Sequence, residues 1–298
     1  MKEIKSEVTG KPYPMRQILS IAEFSSSAWY DKRPRKKALD RGKPGPRTLV
    51  SDAEILSEIH AYMKAPDFNS EGYIKIHARL KRKGLPIGKN RVYRLMRGAN
   101  LLNRKPGKNG SGRVHDGQII TEHPNTMWAT DGKEFHTALE GKCWFIGVID
   151  HFNDEIMSFH VCKRFDRYAA LEPLRQAVKT KFGSVEKDIC KGLGIALRSD
   201  HGSQFESGTY QKELEFLGVE FSPAFVRSPE CNGIIERFHR TLNEQIFYQT
   251  NFENLDQAEI IIGDFVRRYN KNWLVHRLGL CSPIEYRTDY LKQNVKEQ

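Results

Sequence analysis

No stretch of this chain comes near the roughly 20 consecutive apolar residues that a bilayer-spanning helix requires. Its opening, MKEIKSEVTGKPYP, lacks the apolar centre of a secretory signal. Both absences point to a cytoplasmic protein with no membrane partner. Cysteine is scarce as well: five residues in 298, at 143, 162, 190, 231 and 281, none of them in a C-x-x-C pair. An odd number without a motif reads as free thiols in a reducing compartment, and none of the ten histidines pairs with a cysteine at zinc spacing. There is no internal repeat.

What the chain does have is positive charge, unevenly placed. The formal net charge is +11, yet residues 31 to 113 alone hold 22 lysines and arginines against 7 acids, so the remainder is slightly acidic. A basic third joined to an acidic remainder indicates a module that grips polyanions, coupled to something else, and nucleic acid is the partner such a module suits.

The texture of the chain divides it into four parts. Residues 1–50, with DKRPRKKALDRGKPGPRT, read as a basic arm or linker, because so much Pro, Gly and charge buries little apolar surface. Residues 51–106 hold three short helix patterns. One starts at Ser51-Asp52 and carries Ile55, Leu56, Ile59 and Met63; one runs from about Ser70 to Lys83; the last runs from about Lys89 towards Leu101. The turn GLPIG between the last two gives the outline of a helix-turn-helix unit. Lys89, Arg91, Arg94 and Arg97 surround the apolar stripe of its third helix, where they suit a duplex. The segment NRKPGKNGSGR, 103–113, reads as a linker. Residues 115–250 then show three strand patterns (MWATDGKEFHT, KCWFIGVIDHF, EIMSFHVCKRF), the helix RYAALEPLRQAVKTKF, the strand GIALRSD, the helix SGTYQKELEFLG, the short strand VEFSPAF and the longer helix CNGIIERFHRTLNEQIFYQ. The order βββαβαβα predicts an α/β fold, a mixed five-stranded sheet with helices on its faces, preceded by the small all-α domain. Residues 251–298 read as a helical tail.

Three acids stand out. Asp131 lies inside the first strand, where aspartate is depleted. Asp200 ends the fourth strand, just before a glycine turn. Glu236 lies beside the apolar stripe Ile235, Phe238, Leu242 and Ile246 of the last helix. Each alone is equally a turn or surface acid. Together they can converge at one end of a sheet, and phosphodiester cleavage or transfer needs such a set: two Mg²⁺ ions take hard oxygen ligands and stabilise the attacking oxygen, the leaving oxygen and the charge between them. Between Asp200 and Glu236 lie 35 residues.

With that spacing, the motifs WATDGKEF, RSDHGSQF, NGIIERFHRTLNEQ and RRYNKNWLVHRLGLCSPIEY, in this order, resemble those of the DDE transposases of bacterial insertion sequences with two overlapping frames, specifically the second-frame protein. The likeness covers nearly the whole chain. It implies an RNase H-like core shared with retroviral integrases, and Asp131, Asp200 and Glu236 as catalytic, metal-binding residues for Mg²⁺, with Mn²⁺ able to substitute. It implies cleavage at element ends, transfer of the 3′-OH to another phosphodiester, a homo-oligomer, and cooperation with an upstream-frame protein. On this resemblance Gly202 lets a DNA backbone come close, and Asp150, at the end of FIGVID, is a structural acid. The strand order, with a hairpin joined near Glu140, sets the region of Ile149 and Asp150 opposite Asp131. The chain departs from the family where Asn243 replaces a usual Lys, with Arg237 or Arg240 as substitutes for its phosphate grip, and where Trp273 and His276 alter the tail. His201 is equally a DNA contact or a surface histidine. The alternatives are a nuclease that only cleaves and a catalytically idle DNA-binding regulator.

Overall fold

The computed structural model describes residues 5–31, 49–64, 68–69, 71–102, 121–223 and 233–294. It divides into two compact units, Met1–Leu49 and Val50–Gln298. The first unit is not simply an arm. Two short helices, α1 (Met15–Ile21) and α2 (Ser26–Asp31), precede the basic run, and Phe24 packs edge-on against Trp29. Helices of this length are too short to leave a periodic signature in sequence. The basic run 32–48 and the expected linker 103–113 lie outside the described residues.

In the second unit, α3 (Asp52–Lys64), α4 (Tyr73–Arg82) and α5 (Lys89–Gly98) form the expected three-helix unit around Ile55, Ile59, Ile76, Leu80, Val92 and Met96. The start of α3 is fixed by a reciprocal cap: the Ser51 N–H donates to Glu54 Oε2 at 2.8 Å, and the Glu54 N–H donates to Ser51 Oγ at 3.2 Å. Then come β1 (Met127–Thr137), β2 (Gly141–Asp150), β3 (Ile156–Cys162), α6 (Arg167–Phe182), β4 (Ala196–Ser199), α7 (Gly208–Leu217), β5 (Glu220–Pro223), α8 (Gly233–Leu242), a π-helical segment (Asn243–Phe247), α9 (Leu255–Asn272) and α10 (Pro283–Asn294).

The five strands make one mixed sheet in the order β3-β2-β1-β4-β5, antiparallel on the first side of β1 and parallel on the other. This is an RNase H-like sheet. Side chains alternate across it, so neighbouring residues of β1 feed different cores. Trp128 joins Leu171, Leu174, Leu197 and Leu214 under α6 and α7, whereas Ala129 joins Phe145, Phe238, Ile262 and Phe265 under α8 and α9. Among the described residues no helix is long and apolar enough to cross a membrane.

The helical unit is bolted to the core through α9 and the π-helical segment. Phe68 packs edge-on to Phe265 and Trp273, with ring centroids 6.4 and 4.9 Å away. The Gln245 side chain exchanges two hydrogen bonds with the backbone of Asn69. Arg79 forks onto buried Glu71 and also donates to the Asn272 carbonyl, and the Lys75 ammonium sits 3.1 Å from the Trp273 ring centre. Trp273, a departure from the family pattern, is thus the socket in which this contact is built.

Candidate active site

The parallel pairing of β1 and β4 brings two of the three acids near one another. Ala129 pairs with Arg198 at the end of the ladder, Asp131 and Asp200 each follow two residues later, and the charge of Asp200 is felt at Asp131. The third arrives because Ile235, Phe238 and Leu242 pin α8 to the face that holds Ala129, which leaves Glu236, in its first turn, beside Asp131. A negative side chain suits the first turn of a helix. Asp131, Glu236, Lys133, His239, Arg240 and Asn243 line one open cleft of about 450 Å³.

The charges act on one another. Burial, then the nearby Asp200 and Glu236, push the Asp131 carboxyl up to about 7, against the pull of the Gly132 N–H that donates to its Oδ1 at 2.7 Å. Asp200 is exposed and accepts the Gly202 N–H at 3.0 Å. Among the described residues no three His, Cys, Asp or Glu side chains are drawn together closely enough to grip a metal ion as they stand. The donor set nonetheless fits one: three hard carboxylates whose mutual repulsion a divalent cation relieves.

One residue of this cleft escaped the sequence reading. His239 is 6% exposed, and its Nδ1 lies 3.5 Å from Asp131 Oδ2 while its Nε2 has no hydrogen-bond partner. Burial, then Lys133, lowers its pKa to about 3, so the ring is neutral at pH 7. Its position three residues after Glu236 was the available signal, since such residues share a helix face.

The two glycines beside the acids differ. A Cβ on Gly132 would stand 2.2 Å from the Phe165 ring, which packs on the face opposite Asp131. At Gly202 a Cβ would meet the Gln204 side chain at 2.4 Å and Asp200 Oδ1 at 3.0 Å. At Gly132 the ring leaves no room for a side chain, whereas at Gly202 the nearest atom is the movable end of Gln204. His201 Nδ1 lies 2.9 Å from Glu206 Oε1.

Asp150 lies elsewhere. The hairpin register pairs Asp131 with Gly147 and Trp128 with Asp150, not Asp131 with the Ile149–Asp150 region expected from a turn centred at Glu140. Three residues of strand, about 10 Å, separate the two acids, and the odd offset turns Asp150 to the α6 face. Both its oxygens are engaged: Oδ2 accepts the Asn125 N–H at 2.8 Å and Oδ1 the Phe152 N–H at 2.9 Å. Burial raises its pKa to about 6 despite these bonds. Ionisation therefore costs the folded state stability, a cost that is absent below about pH 4, where both states are largely protonated. The cost grows to about 3 kcal/mol by pH 6 and above. Asp150→Asn lacks it. The stability difference between variant and parent is expected to move in the variant's favour by about that amount from pH 4 to 6.5. Denaturant titration at several pH values measures this, and a pH-independent difference would refute it.

The basic residues divide. Lys89 and Arg97 are exposed on α5. Arg91 is committed to the fold, donating to Asp52 Oδ1 and to the Val50 carbonyl at 2.7 Å, and Arg94 also reaches Asp52. Arg240 lines the carboxylate cleft, whereas Arg237 faces Asp154, Tyr269 and Trp273 on another side of α8.

Residues 121–229 and 217–283 match two family models described as integrase core domain, and 52–109 match an HTH-like domain. The transposase InsD of insertion element IS2 from Escherichia coli is 30% identical over 80% of this chain and 79% of its own. The chain belongs to the insertion-sequence transposases. The InsK protein of insertion sequence IS150 from Escherichia coli K12 is 27% identical to this transposase over 92% of the chain and 94% of its own length. Among solved structures, the HTLV-2 integrase catalytic core with magnesium covers 55% of this transposase at 17% identity and a TM-score of 0.41. A simian T-cell lymphotropic virus intasome chain covers 78% at 16% and 0.44.

Proposed function

We propose that this transposase uses Asp131, Asp200 and Glu236 to hold two Mg²⁺ ions, for which Mn²⁺ can substitute, and with them cuts DNA at element ends and joins the freed 3′-OH to another phosphodiester. The observation that supports the reading is that Asp131, from β1, and Glu236, from α8, line one open cleft, with Asp200, at the end of β4, near enough for its charge to raise the Asp131 pKa. Bound there, the metals would activate the attacking oxygen and stabilise the charge that develops on the phosphate and the leaving oxygen. The chain's own groups prepare the site. The sheet holds Asp131 within β1, and Asp200 follows the end of β4 beside it. His239 lies against Asp131 as a neutral ring, which orients the carboxylate without competing for it as a cation. Arg240 and Lys133 supply positive charge to neighbouring phosphates, taking the place of the lysine that Asn243 lacks.

Residues 51–106 are proposed as the DNA-binding domain, 115–250 as the catalytic core and 251–298 as the tail. DNA is the partner. Binding to the element's terminal repeats, self-assembly and cooperation with an upstream-frame protein, all in the cytoplasm, complete the proposal. The test is joining: labelled duplex carrying the sequences that border this reading frame, incubated with the protein and Mg²⁺ or Mn²⁺, should yield nicked and then joined products. Nicking without joining would favour a simple nuclease.

Lys89→Glu with Arg97→Glu should weaken duplex binding and flatten its salt dependence by about one unit of slope per lost phosphate contact. Arg91→Glu should instead lower the melting temperature, because it opposes Asp52. Unchanged salt slopes in the double variant would place the DNA on another face.

A further inference from the structure

The helix that carries Glu236 does not continue smoothly into the tail. After Leu242 it widens into the π-helical segment, closed by the Tyr248 N–H donating to the Asn243 carbonyl, five residues back, at 3.0 Å. Such widened turns hold an extra residue and gather at functional sites. The inward side of this one is anchored. Phe247 stacks on Phe135 with centroids 5.1 Å apart and meets Phe252 edge-on, and Gln245 holds the backbone of Asn69. The outward side is not. Tyr248 leaves the turn 77% exposed, and its ring takes part in none of the ring contacts among the described residues.

Its place is specific. Tyr248 lines the carboxylate cleft with Asp131, Lys133, Glu236 and Arg240, and also the adjoining groove of about 530 Å³ that runs along Phe135, His136 and Thr137. It therefore stands where the two meet, an aromatic face that shares the cleft with two cations and is mounted on an anchored turn. A nucleic-acid strand presents the complementary chemistry: a flat π surface in each base and a negative charge in each phosphate. Inside a duplex a paired base keeps both faces against its neighbours, so away from a blunt terminus the ring can take only a base that has left the stack.

We propose that Tyr248 is a stacking platform for an unpaired nucleobase next to the phosphodiester held at the carboxylates, with Lys133 and Arg240 gripping the flanking phosphates. This rests on the assignment of Asp131, Asp200 and Glu236 as the reacting site. Stacking on an aromatic ring tolerates any base, so the platform favours frayed or single-stranded DNA ends without reading sequence.

The test uses the full chain and two duplexes of one sequence, one blunt and one with a short unpaired 3′ extension carrying 2-aminopurine. Binding is measured in Ca²⁺, so no chemistry is needed. The parent should prefer the extended duplex by about tenfold and quench its fluorescence, in line with base–aromatic stacking. Tyr248→Ala should lose the preference and the quenching while blunt-duplex affinity and melting temperature stay unchanged. Tyr248→Phe should keep both. A parent without preference, or Tyr248→Ala that still quenches, overturns the proposal, and loss of both effects in Tyr248→Phe would assign the contact to the hydroxyl instead. Asp200→Asn in the joining assay tests the carboxylate assignment separately. If that variant joins strands, the assignment fails whatever Tyr248 does.

Discussion

Asp131→Asn, Asp200→Asn and Glu236→Gln are each expected to abolish cleavage and joining, a fall of about a hundredfold or more, on the scale seen when one preorganised contact to developing charge is removed. Duplex binding should persist, since the exposed cations of α5 and Arg240 remain. Chelation of the metal should have the same effect as the substitutions. The loss cannot be blamed on unfolding, at least for Asp131. Burial and two neighbouring acids hold its carboxyl up near 7, so above that pH the folded state carries the cost of a charge that the amide does not have. In metal-free buffer at pH 8, Asp131→Asn should therefore melt no lower than the parent. The amide oxygen can still accept the Gly132 N–H. Joining above a few per cent of the parental rate in any of the three would remove that residue from the site.

The largest stability effect is expected far from the cleft, at Arg277. Its guanidinium donates to the carbonyls of His151 and Phe152 at 2.9 and 3.1 Å and to the carboxylate of Asp154 at 2.5 Å, all in the turn between β2 and β3. Asp154 is buried, and burial raises its pKa while Arg277 lowers it. Arg277→Ala would strand that carboxylate and two buried carbonyls. A loss of about 3 kcal/mol is expected, the low end for breaking a buried pair because Arg277 is partly exposed. Adding Asp154→Asn should restore part of it, since the stranded charge is gone and Asn tolerates the left-handed backbone at φ 57°. Denaturant midpoints of the two single variants and the double variant test this. A single-variant loss below about 1 kcal/mol would mean the tail is not stapled here, as exposed pairs contribute no more than that.

The tail illustrates what pattern alone does not reveal. Its sequence announces helices, and α9 and α10 form. Nothing in RRYNKNWLVHRLGLCSPIEY states that Arg277 clamps a turn more than 120 residues earlier, that Asn270 exchanges hydrogen bonds with the backbone of Ile156, or that Arg287 pairs with Glu155. The same holds for Trp273 and Phe68, two aromatics whose meeting joins the helical unit to the core. The hairpin is an instructive error. A shift of two residues in the assumed register left Asp131 facing the wrong stretch of β2, and only the observed ladder, with Asp131 opposite Gly147, separates it from Asp150.

The periodicities of this chain, by themselves, determined its five strands, its main helices and their order, because apolar residues at spacings of two or near 3.6 leave the chain only one face to bury. They also set Asp131 inside a strand, where aspartate is depleted. Asp200 at a strand tip and Glu236 beside a helix stripe are ordinary acids, and it was the set, its 35-residue spacing and the resemblance of the motifs that singled them out. Tertiary structure alone decided that β4 lies parallel beside β1, that Asp150 turns to the opposite face with both oxygens engaged, that Arg91 is held by Asp52 and the Val50 carbonyl, and that His239 and Tyr248 reach the carboxylate cleft. The physical reason is the same throughout. Which elements form is set by residues near one another in sequence, whereas register, partner and exposure are set by contacts between distant ones, and those exist only once the sheet has closed.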